Sequence, residues 1–261
     1  LFGFHKLRQL RALEAGVHVH HVYNPDPFPF PILRMLRRPV VYSLTGGVAR
    51  RPNVSFFAKL AAVTVMDEGG LARLRGWGLE NVSLARPGID VSRLTPAPLP
   101  LGPEIRLMVG SAPWTRGQFR TKGVDALLEA AQRDPRLRLI FLWRGVLAEE
   151  MARRVQAMGL QAQATVLDRV VDVNRVLAEV HASVVLADAS DIVKAYPHSL
   201  IESLAAGKPV LVSRAIPMAD YVARTGCGVV VERVTPEGVL TAIARLKEQY
   251  DDLQRAARRV G

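Results

Sequence analysis

The sequence has one cysteine in 261 residues, which excludes an internal disulfide. Cys227, in TGCGVVV, has no His or Cys at metal-ligand spacing beside it, and it reads as a small buried residue rather than a reactive thiol. A chain without a disulfide framework fits a reducing compartment, so a cytoplasmic location is expected. No apolar run reaches the ~18 residues of a membrane-spanning helix. The opening LFGFHKLRQLRALEAG has no secretory cleavage pattern. It starts on Leu1 and is amphipathic at once, so it reads as joining a domain already under way. Common ligand motifs are missing too. No GxGxxG follows a strand, and Gly207-Lys208 runs into Pro209, so it is not a GK[ST] phosphate loop. No DxD-like acid pair flanks a loop. DASD at 188–191 reads as a polar loop, and no metal site is expected.

What is present is ordinary globular composition, 49% apolar and 23% charged, which argues against disorder. The net charge is +11, carried mostly by arginine and unevenly spread. Residues 1–99 hold 13 Lys/Arg against 6 Asp/Glu, and residues 100–261 hold 22 against 18. A basic surface attracts phosphates of nucleotides, lipids or nucleic acids, and Arg-rich genome bias gives the same count.

Apolar and helical patterns alternate along the chain. VHVHHVY at 17–23 reads as a buried strand, broken by Pro25, Pro27, Pro29 and Pro31. A short helix over 32–38, a strand over 39–45, a mixed segment over 56–66, a helix over 71–78 and a strand over 81–90 follow. LTPAPLPLGPE at 94–104 is the linker candidate. Strands are then expected at 105–111, 137–143, 164–170, 182–188, 209–213 and 228–232. Helices are expected at 124–133, 148–159, 173–181 and 198–207, with one long helix from about 236. Near-continuous Val/Leu/Ile strands alternating with helices predict an α/β fold with parallel sheets covered on both faces. Ligands in such folds bind beyond the carboxyl ends of strands. That places interest on the loops at 111–123, 143–147, 188–199 and 213–218.

Two of these loops carry chemistry. Pro197-His198-Ser199 opens a helix whose free N–H groups favour an anion such as pyrophosphate. One turn inside lies Glu202, flanked by Ile201, Leu204, Ala205 and Ala206. A buried carboxylate needs partners, and a ribose diol supplies two hydroxyl donors. The loop GSAPWTRGQFRTKGVD at 110–125 carries Arg116, Arg120 and Lys122, a set suited to a diphosphate. A solvated basic loop is its plain alternative. HVHH at 18–21 puts His18 and His20 on one strand face, which reads as strand-end polarity more readily than as a metal pair.

PGID at 87–90, KGVDALLEA at 122–130 and PHSLIESLAAGKPVLVS at 197–213 occur in that order. This arrangement resembles the family 4 glycosyltransferases, retaining enzymes of the GT-B fold, over about residues 17–246. The resemblance implies two Rossmann-like doubly wound domains. Here they would be an incomplete acceptor-side domain at 1–97 and a nucleotide-sugar-binding domain at 98–261. It implies transfer of a sugar from a nucleotide-diphosphate sugar to an acceptor hydroxyl, without metal or organic cofactor. Lys122 matches the lysine on the donor diphosphate, with Arg116 or Arg120 standing in for an arginine that should follow Gly110. Glu202 matches the ribose-binding glutamate, and the backbone at His198, Ser199 and Leu200 would face the sugar and phosphates. Lys194 stands where the family has the glutamate that contacts the donor sugar, and Thr45 stands where it has a histidine.

The acceptor implied is a glycan, a lipid-linked molecule or a small molecule. The basic first part adds an expected peripheral contact with the inner face of the membrane. Rival readings are a GT-B epimerase or phosphorylase, and a non-catalytic subunit, for which Lys194 speaks. A nucleic-acid-binding protein is disfavoured because aromatic and basic residues do not interleave on one face.

Overall fold

A computed structural model describes residues 3–96, 98–143 and 146–261. It resolves into two compact units. One runs up to Pro87 and takes in Ser190–Tyr196. The other comprises Gly88–Ala189 and Pro197–Gly261.

The first unit contains helix α1 (Leu7–Leu13), strand β1 (His20–Asn24), a 3-10 turn (Pro31–Met35) and strand β2 (Val40–Leu44). Helix α2 (Val54–Phe57), strand β3 (Ala62–Val65), helix α3 (Glu68–Gly76) and strand β4 (Val82–Leu84) follow. The four strands form a parallel sheet in the order β1-β2-β3-β4. Its core gathers Tyr42, Leu44, Phe57, Val63, Val65 and Leu74. Asp67 starts α3 by accepting the Gly70 N–H at 2.7 Å, with Glu68 adding negative charge to the first turn.

Two expectations change here. The strand expected at 17–23 begins only at His20 and alternates between half-buried and exposed, because β1 is a sheet edge. His18 therefore lies outside the strand, and no one-face pair with His20 forms. His20 instead faces Glu14 Oε1 at 3.1 Å, and His21 meets Ser43 Oγ at 2.8 Å. The helix expected at 32–38 is the 3-10 turn, since Pro39 forbids a helical residue before it.

The second unit contains β5 (Ile105–Val109), α4 (Gln118–Thr121), α5 (Val124–Arg133), β6 (Leu137–Leu142), α6 (Ala148–Ala157), β7 (Ala164–Leu167), α7 (Val173–Ala178) and β8 (Ala182–Val185). It continues with α8 (His198–Ala205), β9 (Val210–Ser213), α9 (Met218–Thr225), β10 (Gly228–Val231), α10 (Pro236–Glu248) and α11 (Tyr250–Val260). Six parallel strands lie in the order β10-β9-β8-β5-β6-β7. Chain order thus runs outward from β5 to β7, then returns to β8 and runs outward on the other side. This is the doubly wound pattern, with its switch point between β5 and β8. Val124, Leu127, Leu128 and Ala131 recur at helical spacing, and all four are buried where α5 covers the sheet.

The proline-rich linker is tied to this second unit. Asn174 Oδ1 accepts the Thr95 N–H at 2.9 Å, Tyr250 Oη donates to Leu99 O at 3.1 Å, and His181 Nε2 lies 3.2 Å from Pro100 O. Residue 97, the expected domain boundary, lies outside the described residues, as do 144 and 145 of the 143–147 loop. The single C-terminal helix is two helices that divide at Gln249, whose backbone leaves helical geometry at φ −110° and ψ 18°. Asp251 and Asp252 favour a fresh helix start there, and Tyr250, Leu253 and Ala257 can then turn inward.

Candidate functional site

The switch point between β5 and β8 puts two loops side by side at the carboxyl edge of the second unit's sheet. Gly110 ends β5, and a Cβ on it would lie 2.5 Å from Ser199 Cβ at the start of α8. No side chain fits in that approach, so the glycine lets the helix start close on the strand end. Gly110→Ala is expected to force the two apart and lower stability by about 1–3 kcal/mol. Chemical denaturation of both forms measures it.

Helix α8 is capped by Pro197, with no side-chain cap and no acid in its first turn. Leu200 and Ile201 N–H both donate to Pro197 O, at 3.0 and 3.2 Å. The Leu200 amide is thus engaged within the first turn, and its side chain is wholly buried. Ser199, the second residue of α8, carries an N–H of the first turn, the kind of group that can face an anion.

Glu202 lies one turn further on and lines a cavity of about 440 Å³ with His198, Asn174, Asp90 and Arg93. Its carboxylate has no hydrogen-bond or ion-pair partner among the described residues. Burial alone raises its pKa above the ordinary glutamate value. The PGID motif already held Asp90, but Arg93 and Asn174 had no motif to mark them. Asp90 also has a structural task, accepting from Ser92 N and Ser92 Oγ at 3.1 and 2.7 Å.

The loop after β5 holds the expected cations in two different settings. Lys122 is buried, and its Nζ donates to Ala112 O at 3.0 Å across the loop. Burial lowers its pKa. Gly123, at φ +66°, then turns the chain directly into α5. Arg116 and Arg120 are exposed, and Arg116 exerts a favourable charge effect on Glu150. On the far side of the switch point, Asp188 N donates to Thr121 O at 2.9 Å, which ties the β8 loop to the lysine loop. Gly110, Lys122, His198, Ser199 and Glu202 thus all belong to the second unit.

Lys194 does not. The chain leaves the second unit at Ser190 and returns at Pro197, and the intervening segment joins the first unit. There Lys194 pairs antiparallel with Gly46, Ala195 N donates to Thr45 O at 2.8 Å, and Gly47 N donates to Ser190 O at 2.9 Å. Lys194 itself is exposed. Among the described residues, no group of three or more His, Cys, Asp or Glu could hold a metal. No helix there is long and apolar enough to cross a membrane.

The chain was compared with known proteins. Sucrose-phosphate synthase from Thermosynechococcus elongatus matches with TM-score 0.75 and 15% identity, over 97% of this chain and 70% of that one. The HepE protein of Anabaena, in complex with UDP and glucose, matches with TM-score 0.74 and 15% identity, over 96% and 74%. A glycosyltransferase from Rickettsia africae matches with TM-score 0.73 and 14% identity, over 98% and 75%. At these identities the likeness establishes the fold, two α/β units of the GT-B type. No curated protein matches. The family model "Glycosyl transferases group 1" matches residues 102–260, more than half of the sequence. The chain therefore belongs to the group 1 glycosyl transferases.

Proposed function

We propose that this glycosyltransferase moves a sugar from a nucleotide-diphosphate sugar to an acceptor hydroxyl, with retention and without a metal. The observation that carries the donor half is Glu202, a half-buried carboxylate without a partner among the described residues, in a cavity beside a helix start that has no side-chain cap. A ribose diol satisfies the carboxylate, and a diphosphate satisfies the helix start. Lys122, Arg116 and Arg120 are assigned to the diphosphate. The backbone at His198, Ser199 and Leu200 is assigned to the sugar and phosphates, and Gly110 admits that approach. Lys194 takes the sugar-contact position by sequence alone. UDP in the HepE complex makes a uridine donor the first to test.

The bond that breaks joins the anomeric carbon to the diphosphate oxygen, and its electron pair leaves with the diphosphate. The acceptor oxygen bonds to the same face of that carbon, and its proton passes to the departing phosphate. The protein's part is to stabilise charge as it builds on the leaving group. Residues 1–97 are assigned to an incomplete acceptor-side domain and 98–261 to the donor domain. The acceptor is a glycan, a lipid-linked molecule or a small molecule, met in the cytoplasm at the inner face of the membrane.

Glu202→Gln keeps the shape and removes the charge. It is expected to weaken nucleoside-diphosphate binding roughly tenfold to a hundredfold, the range for a hydrogen bond to a charged group. The wild-type affinity should also fall as pH drops through the raised Glu202 pKa. A Glu202→Gln titration curve matching the wild type at neutral pH would remove Glu202 from the site. Transfer that stops in EDTA, or an inverted anomeric product by NMR, would overturn the metal-free and retaining parts.

A further inference from the structure

A second cavity, of about 460 Å³, lies within the first unit at the amino-terminal end of its sheet, where β2 starts and β3 is about to start. Its charged lining is entirely cationic: Arg34, Arg37, Arg38 and Lys59. Leu36 and Leu60 supply apolar wall between them. All four cations are exposed.

The backbone is built to hold these cations together. Glu14 Oε1 accepts the N–H groups of Arg37 and Arg38 at 2.7 and 3.1 Å, and Arg38 Nε donates to Glu14 O at 3.1 Å. The Arg34 guanidinium sits over the Phe56 ring at 5.5 Å. Glu14 is the acid in contact with this segment, and it is buried with its Oε1 engaged. Arg11 of α1 donates to Met35 O at 3.0 Å, which brings that helix alongside. Met35 and the nearby Leu13 are exposed apolar side chains, 39% and 55% accessible. The surroundings of the cavity therefore combine clustered cations with apolar residues open to solvent.

We infer that this cavity docks the first unit on a bilayer by taking the phosphate headgroup of an anionic phospholipid. Clustered arginines chelate phosphate oxygens, and each cation at an anionic bilayer adds about 1 kcal/mol of binding. Leu13 and Met35 favour a bilayer over a free phosphate or a nucleic acid, because only a bilayer offers an interior for apolar side chains. The site lies at the opposite end of its sheet from the carboxyl edge, where ligands of such folds bind. It thus leaves that edge open while the protein rests on the membrane.

The test is co-flotation of the full chain with vesicles of phosphatidylcholine alone and with 30% phosphatidylglycerol. Binding is expected only to the anionic vesicles. Arg37→Gln with Lys59→Gln should weaken it about thirtyfold. Arg50→Gln with Arg73→Gln removes the same charge elsewhere in the unit and should leave binding within about threefold. Circular dichroism checks both folds, and Lys59→Gln alone serves if the pair does not fold. Equal loss in the two pairs would reduce the effect to net charge and overturn the site. No binding, equal binding to neutral vesicles, displacement by millimolar inorganic phosphate, or tighter binding to a duplex oligonucleotide would overturn it as well.

Discussion

Replacing Lys122 with alanine is expected to lower turnover a hundredfold to a thousandfold, with a smaller change in donor KM. The lysine is buried at the carboxyl edge of the sheet, and its ammonium is steered by Ala112 O. One hydrogen goes to that carbonyl, which leaves two to meet the diphosphate of the proposed donor. A preorganised donor aimed at developing charge contributes roughly 3–4 kcal/mol to lowering the barrier, more than a surface cation can. Arg116 and Arg120 are exposed, so their single substitutions should cost much less. Burial also lowers the Lys122 pKa, so its charge is lost at a lower pH than for a free lysine. Activity should therefore decline on the alkaline side earlier than a solvated lysine would dictate. A radiolabelled-donor assay across pH measures both effects, and Lys122→Ala with wild-type turnover would contradict them.

Lys208→Met is expected to stabilise the protein by about 2–3 kcal/mol at pH 7. Lys208 is wholly buried just before β9, and its Nζ has no hydrogen-bond partner among the described residues. Desolvation, with Arg258 adding repulsion, depresses its pKa to about 8. His181, also buried, faces the same charge and has its own pKa lowered, first by burial. The folded state releases the Lys208 proton near pH 8, while the unfolded chain keeps it to about 10.5. Between those values the unfolded state binds more protons, so stability rises with pH. Below pH 8 the penalty is fully present. A depression of this size corresponds to roughly 3 kcal/mol at about 1.4 kcal/mol per pH unit. Methionine fills the same space without charge, so its advantage should fade as pH approaches 10.5. Urea denaturation of both forms at pH 7 and pH 10 measures it, and an equal gain at both would contradict the titration.

Much of the second unit was legible because its signals are local. Val124–Arg133 carries its apolar stripe in the sequence, and the observed α5 has those bounds. The β8–α8–β9 run was equally clear from Val/Leu strands around a proline-capped helix. The first unit was less legible. A run like VHVHHVY looks buried, but its register against Val40 and its place at the sheet edge depend on long-range pairing. The KAYPHSLIES segment looked like one ligand-binding strip. The structure divides it after Tyr196, because Ala195 pairs with Thr45 while Ser199 packs on Gly110. No local pattern in those residues signals that division. Arg93 and Asn174 were missed for the same reason, since they line the Glu202 cavity beside residues distant from them in the sequence.

The most direct test is calorimetric titration of the purified chain with a panel of nucleotide-diphosphate sugars, repeated with Glu202→Gln. The proposed donor site predicts selective binding of one member of the panel, weakened at least tenfold by the substitution. A panel in which no member binds, or one bound equally well by Glu202→Gln, would contradict it.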